Sequence, residues 1–142
     1  MVDVSHKEIS TRSAIAEARV RFPEGLLAQI MAGGGPKGPI EEVARIAGIL
    51  AAKRTGELIP MCHPLGLDHV QVAFEAQGDV LVIRASCACS GRTGVEMEAM
   101  TAASLAALTV YDMTKALNKG ICIERVALLE KRGGKSGLWQ AK

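Results

Sequence analysis

The segment from Thr93 to Asn118 constrains this chain more than any other. It reads as one long helix, closed near Gly120 by a residue type that favours helix ends. At about 100° per residue, Ala99, Ala102, Ala103, Ala106, Val110, Met113 and Leu117 fall on one arc. An arc this rich in alanine can approach a sheet closely. Leu105 and Leu108 fall on a different arc, with Thr101, Asp112 and Lys115. One sheet covers one arc, so the second patch has to meet other helices or another copy of the chain. With one Trp, one Tyr and two Phe, the core has little aromatic bulk of its own. Both features favour a homo-oligomer.

The remaining segments supply the sheet. In residues 14–22, Ala16, Ala18, Val20 and Phe22 alternate with Glu17, Arg19 and Arg21, the pattern of a half-buried strand. Pro23 opens a short helix through Ala32, and Gly33-Gly34-Gly35-Pro36 breaks it. A second helix spans Pro39 to Arg54, with Val43, Ile46, Ala47 and Leu50 as its apolar stripe and Glu41 paired with Arg45. Residues 55–66 hold two prolines and two glycines and read as a loop. HVQVAFEA and VLVIRASC form a hairpin around Gln77-Gly78-Asp79, and ICIERVALLE at 121–130 is a last strand. The order is β-α-α-β-β-α-β. Without the extra helix this is the ferredoxin-like βαββαβ pattern, an α+β fold with a four-stranded antiparallel sheet and helices on one face.

The chain has 142 residues, the length of one domain. Residues 1–13 read as a flexible N-terminal arm and 131–142 as a flexible basic tail. Seventeen basic and fifteen acidic residues leave a net charge of +2, too balanced for a general nucleic-acid binder. Residues 125–142 alone carry five basic groups against Glu130, which suits a small polyanion. No apolar run reaches the eighteen or so residues of a membrane span, and MVDVSHKEIS shows no secretory pattern. Cytoplasmic location with reduced thiols is the expectation. The cysteines at 62, 87, 89 and 122 match no zinc framework, so neither a metal nor a cofactor is expected.

Several residues could carry chemistry. Asp112 and Lys115 share a helix face, as an exposed ion pair or, if burial brings their pKa values together, as a proton-exchanging couple. Glu96 and Glu98 either complement a helix N-terminus or bind the donor edge of a base. Glu98 and Asp112 lie about 21 Å apart along a straight helix, so one reacting centre cannot touch both. Either a long ligand spans them or different subunits combine. Lys37, on a glycine loop before a helix, is an anion-site candidate or a solvated linker residue. Gly134-Lys135-Ser136 is no P-loop, because Leu129 stands where its first glycine belongs. It reads instead as a basic flap. Pro64 holds His63 extended, to meet ligand or solvent. Met61, Cys62 and Met97 read most simply as packing residues.

MVDVS at the start, ARIAGILAAKRT at 44–55, LIPMCHPL at 58–65, GVEMEAMTAAS at 94–104, LTVYDMTKAL at 108–117 and GGKSG at 133–137 closely resemble the cyclic pyranopterin monophosphate synthase family. The segments run in order along nearly the whole chain. The resemblance implies conversion of (8S)-3′,8-cyclo-7,8-dihydroguanosine 5′-triphosphate to cyclic pyranopterin monophosphate with release of diphosphate, in molybdenum cofactor biosynthesis. It implies a homohexamer, a trimer of dimers with active sites between subunits, fed by a GTP 3′,8-cyclase. By the same resemblance Asp112, Lys115 and Lys37 are catalytic. Met61, Cys62, His63, Glu96, Met97, Glu98, Lys53 and Lys131 bind substrate. A non-catalytic purine-nucleotide-binding scaffold would use the same glycine loop and tail. An RNA-binding plait would need exposed strand aromatics, and the strands offer only Phe22 and Phe74 on apolar faces.

Overall fold

The computed structural model describes residues 1–142. Small apolar residues on alternate positions of β1 (Ser10–Arg21) build the middle of the sheet. Ala14, Ala16, Ala18 and Val20 are almost fully buried, because their Cβ atoms point to one face of the strand. β1 pairs antiparallel with β3 (Val80–Gly91) on one side and with β4 (Cys122–Arg132) on the other. β2 (His69–Gln77) returns into β3 through Gly78-Asp79, where Gly78 takes the positive φ that the tight turn requires. The sheet holds five strands in the order β2-β3-β1-β4-β5.

The fifth strand corrects the expected count of four. β5 (Trp139–Gln140) pairs with Lys131 and Glu130 of β4. A two-residue strand after a glycine turn has too little alternation to stand out in a sequence. Ser10–Ser13 of the expected arm belong to β1, and Lys131 and Arg132 of the expected tail belong to β4.

α1 (Leu26–Gly33), α2 (Ile40–Lys53), α3 (Thr55–Leu58) and α4 (Glu96–Thr114) complete the chain. α1 starts three residues after Pro23, and α3 turns once inside the expected loop. α4 is shorter than the apolar pattern suggests. It ends at Thr114, whose hydroxyl donates to the Val110 carbonyl, so Leu117 lies beyond it and stays exposed. Gly120 therefore does not cap the helix. The predicted alanine arc does form the core contact: Ala99, Ala102, Ala103, Ala106 and Val110 are fully buried.

The α2 face differs from expectation. Ala44, Gly48, Ala51 and Ala52 are buried, while Val43, Ile46 and Leu50 are 40%, 59% and 48% exposed. Close approach explains the reversal. A Cβ on Gly48 would lie 2.9 Å from the Ala102 carbonyl oxygen and 3.3 Å from Ala106 Cβ. The smaller face therefore packs on α4, and the bulky stripe faces outward. Arg45 does not pair with Glu41. Its guanidinium donates to the Val72 carbonyl and lies 5.0 Å from the centre of the Phe74 ring. It thus covers part of the β2 edge, a site otherwise open to strand pairing. On the other sheet face Glu17 is buried, not exposed, beneath Arg84 at 3.2 Å and Arg19 at 3.5 Å.

The Gly48 contact gives a direct test. Gly48→Val overfills the seam and should lower unfolding free energy by about 2–3 kcal/mol in urea titrations. Ile46→Ala on the outward stripe should cost far less when the protein is measured as a monomer.

Candidate active site

α2 and α4 run antiparallel, and this arrangement fixes where every candidate residue falls. Gly48 meets Ala102 and Ala106 midway. The start of α2 thus lies by the end of α4, and the end of α2 lies by the start of α4. Each end gathers its own charged groups.

At the first end stand Lys37, Asp112 and Lys115. A tight turn precedes α2, in which the Gly38 N–H donates to the Gly35 carbonyl at 3.2 Å. Gly38 has φ +95°, and Gly35 leaves no room for a side chain beside Ile40. Lys37 at the tip reaches Asp112 Oδ2 at 2.7 Å, and Lys115 reaches Oδ1 at 2.7 Å. One carboxylate is gripped by two ammonium groups of its own chain. All three side chains are about half exposed (47%, 51% and 50%). The Asp112 carboxyl is pulled down to about 2, chiefly by hydrogen bonds from Lys115 and then Lys37. Asp112 raises the Lys115 pKa in turn. The two values move apart, as in the exposed ion pair that was one of the two readings of this spacing, and not as in a buried proton-exchanging couple. In one chain the carboxylate stays ionised and Lys115 keeps its proton.

At the other end stands Glu98, only 3% exposed. Its Oε2 is buried with no hydrogen-bond partner. Burial pushes its pKa up, and the nearby Glu96 charge adds to the rise. A cavity of about 60 Å³ beside it is lined by Lys53, Arg54, Thr55, Gly56, Glu57, Pro64 and Leu65. Thr55 spends its hydroxyl on the Ala52 carbonyl at 3.0 Å. Cys62, Cys87 and Cys89 have raised thiol pKa values, first through burial and second through the Glu98 charge. Cys87 reaches about 12 and is an inert packing thiol. Met61 and Met97 are 67% and 39% exposed, so they do not serve as core residues. Cys62 and His63 are half-buried. The N-terminal arm lies across this loop, since Met1–Ser5 share a cleft with His63 and Arg92.

Lys131 is at the same end of the sheet, paired with Ala14 of β1, and its ammonium contacts the Ser136 hydroxyl. Next to it is a larger basic cleft, about 620 Å³, lined by His6, Lys7, Glu8, Ile9, Ser10, Arg12, Gly134 and Lys135. Arg12 is fixed by a bond from Nε to the Gly91 carbonyl at 3.0 Å. Gly133 and Gly134 have φ of +93° and +70°, and side chains there would strike Thr11 and Arg12. Sequence reasoning missed Lys7, Arg12 and Arg54. The charge count of the tail held half of that signal. The strand partner that brings Arg12 to it did not show.

Eight candidates therefore share one end: Lys53, Met61, Cys62, His63, Glu96, Met97, Glu98 and Lys131. The other three share the opposite end. No cluster of His, Cys, Asp and Glu is suited to a metal ion.

A helix-covered antiparallel sheet with one ammonium–carboxylate cluster and a basic cleft defines the class as an α+β protein. Comparison with protein families is more specific. The MoaC family model matches residues 1–134, and the chain belongs to the MoaC family. It is therefore an enzyme of molybdenum cofactor biosynthesis that acts on a small molecule. No helix is long and apolar enough to cross a membrane.

Two titrations test these environments. A lowered acid contributes stability above its unfolded pKa of 3.8 and loses that contribution as pH falls through about 2. Carboxyl NMR should place the Asp112 midpoint near 2, and Lys115→Ala should move it back toward 3.8. Glu98 has the opposite sign: its raised pKa favours the fold below 4.5, and the benefit is lost as pH rises through the folded value. Glu98→Gln should raise the thermal midpoint by a few degrees at neutral pH, with the gain vanishing below pH 4.5.

Proposed function

We propose that this chain is a cytoplasmic phosphorus–oxygen lyase that converts 3′,8-cyclo-7,8-dihydroguanosine 5′-triphosphate to cyclic pyranopterin monophosphate and diphosphate. The observation that carries the reading is Asp112 held at 2.7 Å by both Lys37 and Lys115 in a MoaC-family chain. The sheet order β4-β1-β3-β2 of the long strands supports the ferredoxin-like description.

The basic end suits the triphosphate. Lys53, Lys131, Lys7, Arg12 and Lys135 offset charge on the leaving diphosphate. Arg12 presents a guanidinium already oriented by the Gly91 carbonyl, so little freedom is lost on binding. Glu98 and His63 orient the purine and then the pterin, with Glu96, Met97, Met61 and Cys62 around them. A neutral Glu98 can donate a hydrogen bond, and an ionised one can accept from the base's amino edge.

Proton movement belongs to the other end. Lys115 holds a proton, and Asp112 aims it while the imidazole ring opens and the cyclic phosphate forms. Substrate phosphate competes with Asp112 for Lys37, which frees one carboxylate lone pair for the relay. Within one chain the two ends stand about 21 Å apart, so a neighbouring subunit brings Lys37, Asp112 and Lys115 to the Glu98 end. The outward residues Val43, Ile46, Leu50 and Leu108 provide apolar surface for such contacts in a trimer of dimers. A GTP 3′,8-cyclase supplies the substrate.

The deciding experiment incubates the protein with cyclised GTP and seeks the pterin product by mass spectrometry. Single-turnover rates should fall by a factor on the order of 10² or more for Lys115→Ala and Asp112→Asn. Near-normal rates in both remove them from the mechanism. Tight binding with no turnover in the parent protein points to a nucleotide-binding scaffold instead.

A further inference from the structure

The loop entering α4 holds a second small-residue contact, and its neighbour is not apolar. A Cβ on Gly94 would fall inside the Glu96 carboxyl group, with Cδ and Oε1 at 2.6 and 2.7 Å. The Glu96 side chain therefore folds back over the preceding loop and fills the space a side chain at 94 would take. Backbone strain is not the reason for glycine here, since Gly94 is absent from the positive-φ positions. An alanine could adopt this backbone but could not coexist with Glu96 as placed.

We propose that Gly94 is a positioning residue. Its bare Cα leaves the recess that holds the Glu96 carboxylate over the loop entering α4, and so sets where that charge sits relative to Glu98 at the substrate-binding end. The inference rests on the assignment of that end to substrate, and it adds a residue to it.

The charges around Glu98 make the consequence measurable. The Glu96 charge acts on it from the start of its own helix, and it acts in turn on Cys62 in the loop and on Cys87 and Cys89 in β3. Lys53 and Arg54 end α2, and Glu57 lies in α3, around the same cavity. Arg12 approaches Cys89 from β1, and Lys131 occupies the same sheet end on β4. Of these, only Glu96 depends on the Gly94 recess. Pushed out by a methyl group, its carboxylate moves into solvent, where water screens it from Glu98.

The test uses full-length protein labelled with ¹³C at glutamate carboxyls, without substrate. Gly94→Ala should lower the Glu98 titration midpoint by the part the Glu96 charge contributes, while burial keeps it above the ordinary glutamate range and the thermal midpoint stays unchanged or rises. In a Glu96→Gln background the same substitution should leave the Glu98 midpoint where Glu96→Gln alone puts it. Glu96→Asp, too short to reach the recess, should lower it in a chain that keeps Gly94. An unmoved Glu98 midpoint in Gly94→Ala, or an equal shift with and without Glu96, overturns the proposal. Should Gly94→Ala fail to fold, a wild-type midpoint in Glu96→Asp overturns it as well.

With cyclised GTP, Gly94→Ala should raise KM on the order of tenfold and change kcat by less than about twofold. A parent protein that never consumes that substrate defeats the assigned reaction yet leaves the titration result standing. A normal titration shift with unchanged KM separates the acids' spacing from substrate binding and overturns the functional half of the inference.

Discussion

The contact of Gly48 with Ala102 and Ala106 governs the rest of the molecule. It lets α2 and α4 approach until backbone meets side chain, and through it the two helices run antiparallel. A helix pair fixed at its middle has two determined ends. Lys37 precedes one helix and Asp112 closes the other, 75 residues apart in sequence, yet they meet. Lys53 and Glu98 come to the same cavity by the same geometry. Larger residues along the seam would separate the helices and loosen both ends together.

The two ends treat their acids in opposite ways. Asp112 is half exposed and has two ammonium partners, so it ionises more readily than a free carboxyl. Glu98 is buried without a partner for Oε2, so it resists ionisation. Lys53 and Arg54 line its cavity but form no ion pair with it. An unsatisfied buried carboxyl destabilises a fold, and carboxyls with strongly perturbed ionisation concentrate at functional sites. The exposed end stabilises charge it already has. The buried end keeps unused bonding capacity.

Legibility in the sequence followed residue size. Alternation in β1 was plain, because Ala16, Ala18, Val20 and Phe22 traded places with Glu17, Arg19 and Arg21, and the β2–β3 hairpin was marked by its Gln77-Gly78-Asp79 turn. The arc from Ala99 to Met113 was equally plain. The α2 face was misread, because hydropathy favours Val43, Ile46 and Leu50 while steric fit favours Ala44 and Gly48. Close helix packing rewards absence of side chain, and a pattern of large apolar residues cannot register it. β5 escaped notice because two residues carry no period. Composition and spacing carried the site only as far as separate candidates. Family resemblance supplied their roles, and the pairing of Lys37 with Asp112 required the tertiary structure. Gly94 carried no visible signal, since its importance lies in the space Glu96 occupies.

The misread face bears on how the two ends could serve one reaction. α4 has 19 residues and is continuous from Glu96 to Thr114, so no bend within it brings Glu98 to Asp112. A single chain that used both acids on one small molecule would need a ligand about 21 Å long. A second copy removes that requirement at no cost to either end, provided it has a surface on which to dock. Val43, Ile46 and Leu50 recur at helical spacing on α2, outward and unsupported by their own chain. They run along the very helix that Lys37 precedes and Lys53 ends. A neighbour seated on that stripe would be held in register with both ends, which is what the proposed inter-subunit reading requires of the face that the packing rule expels from the core.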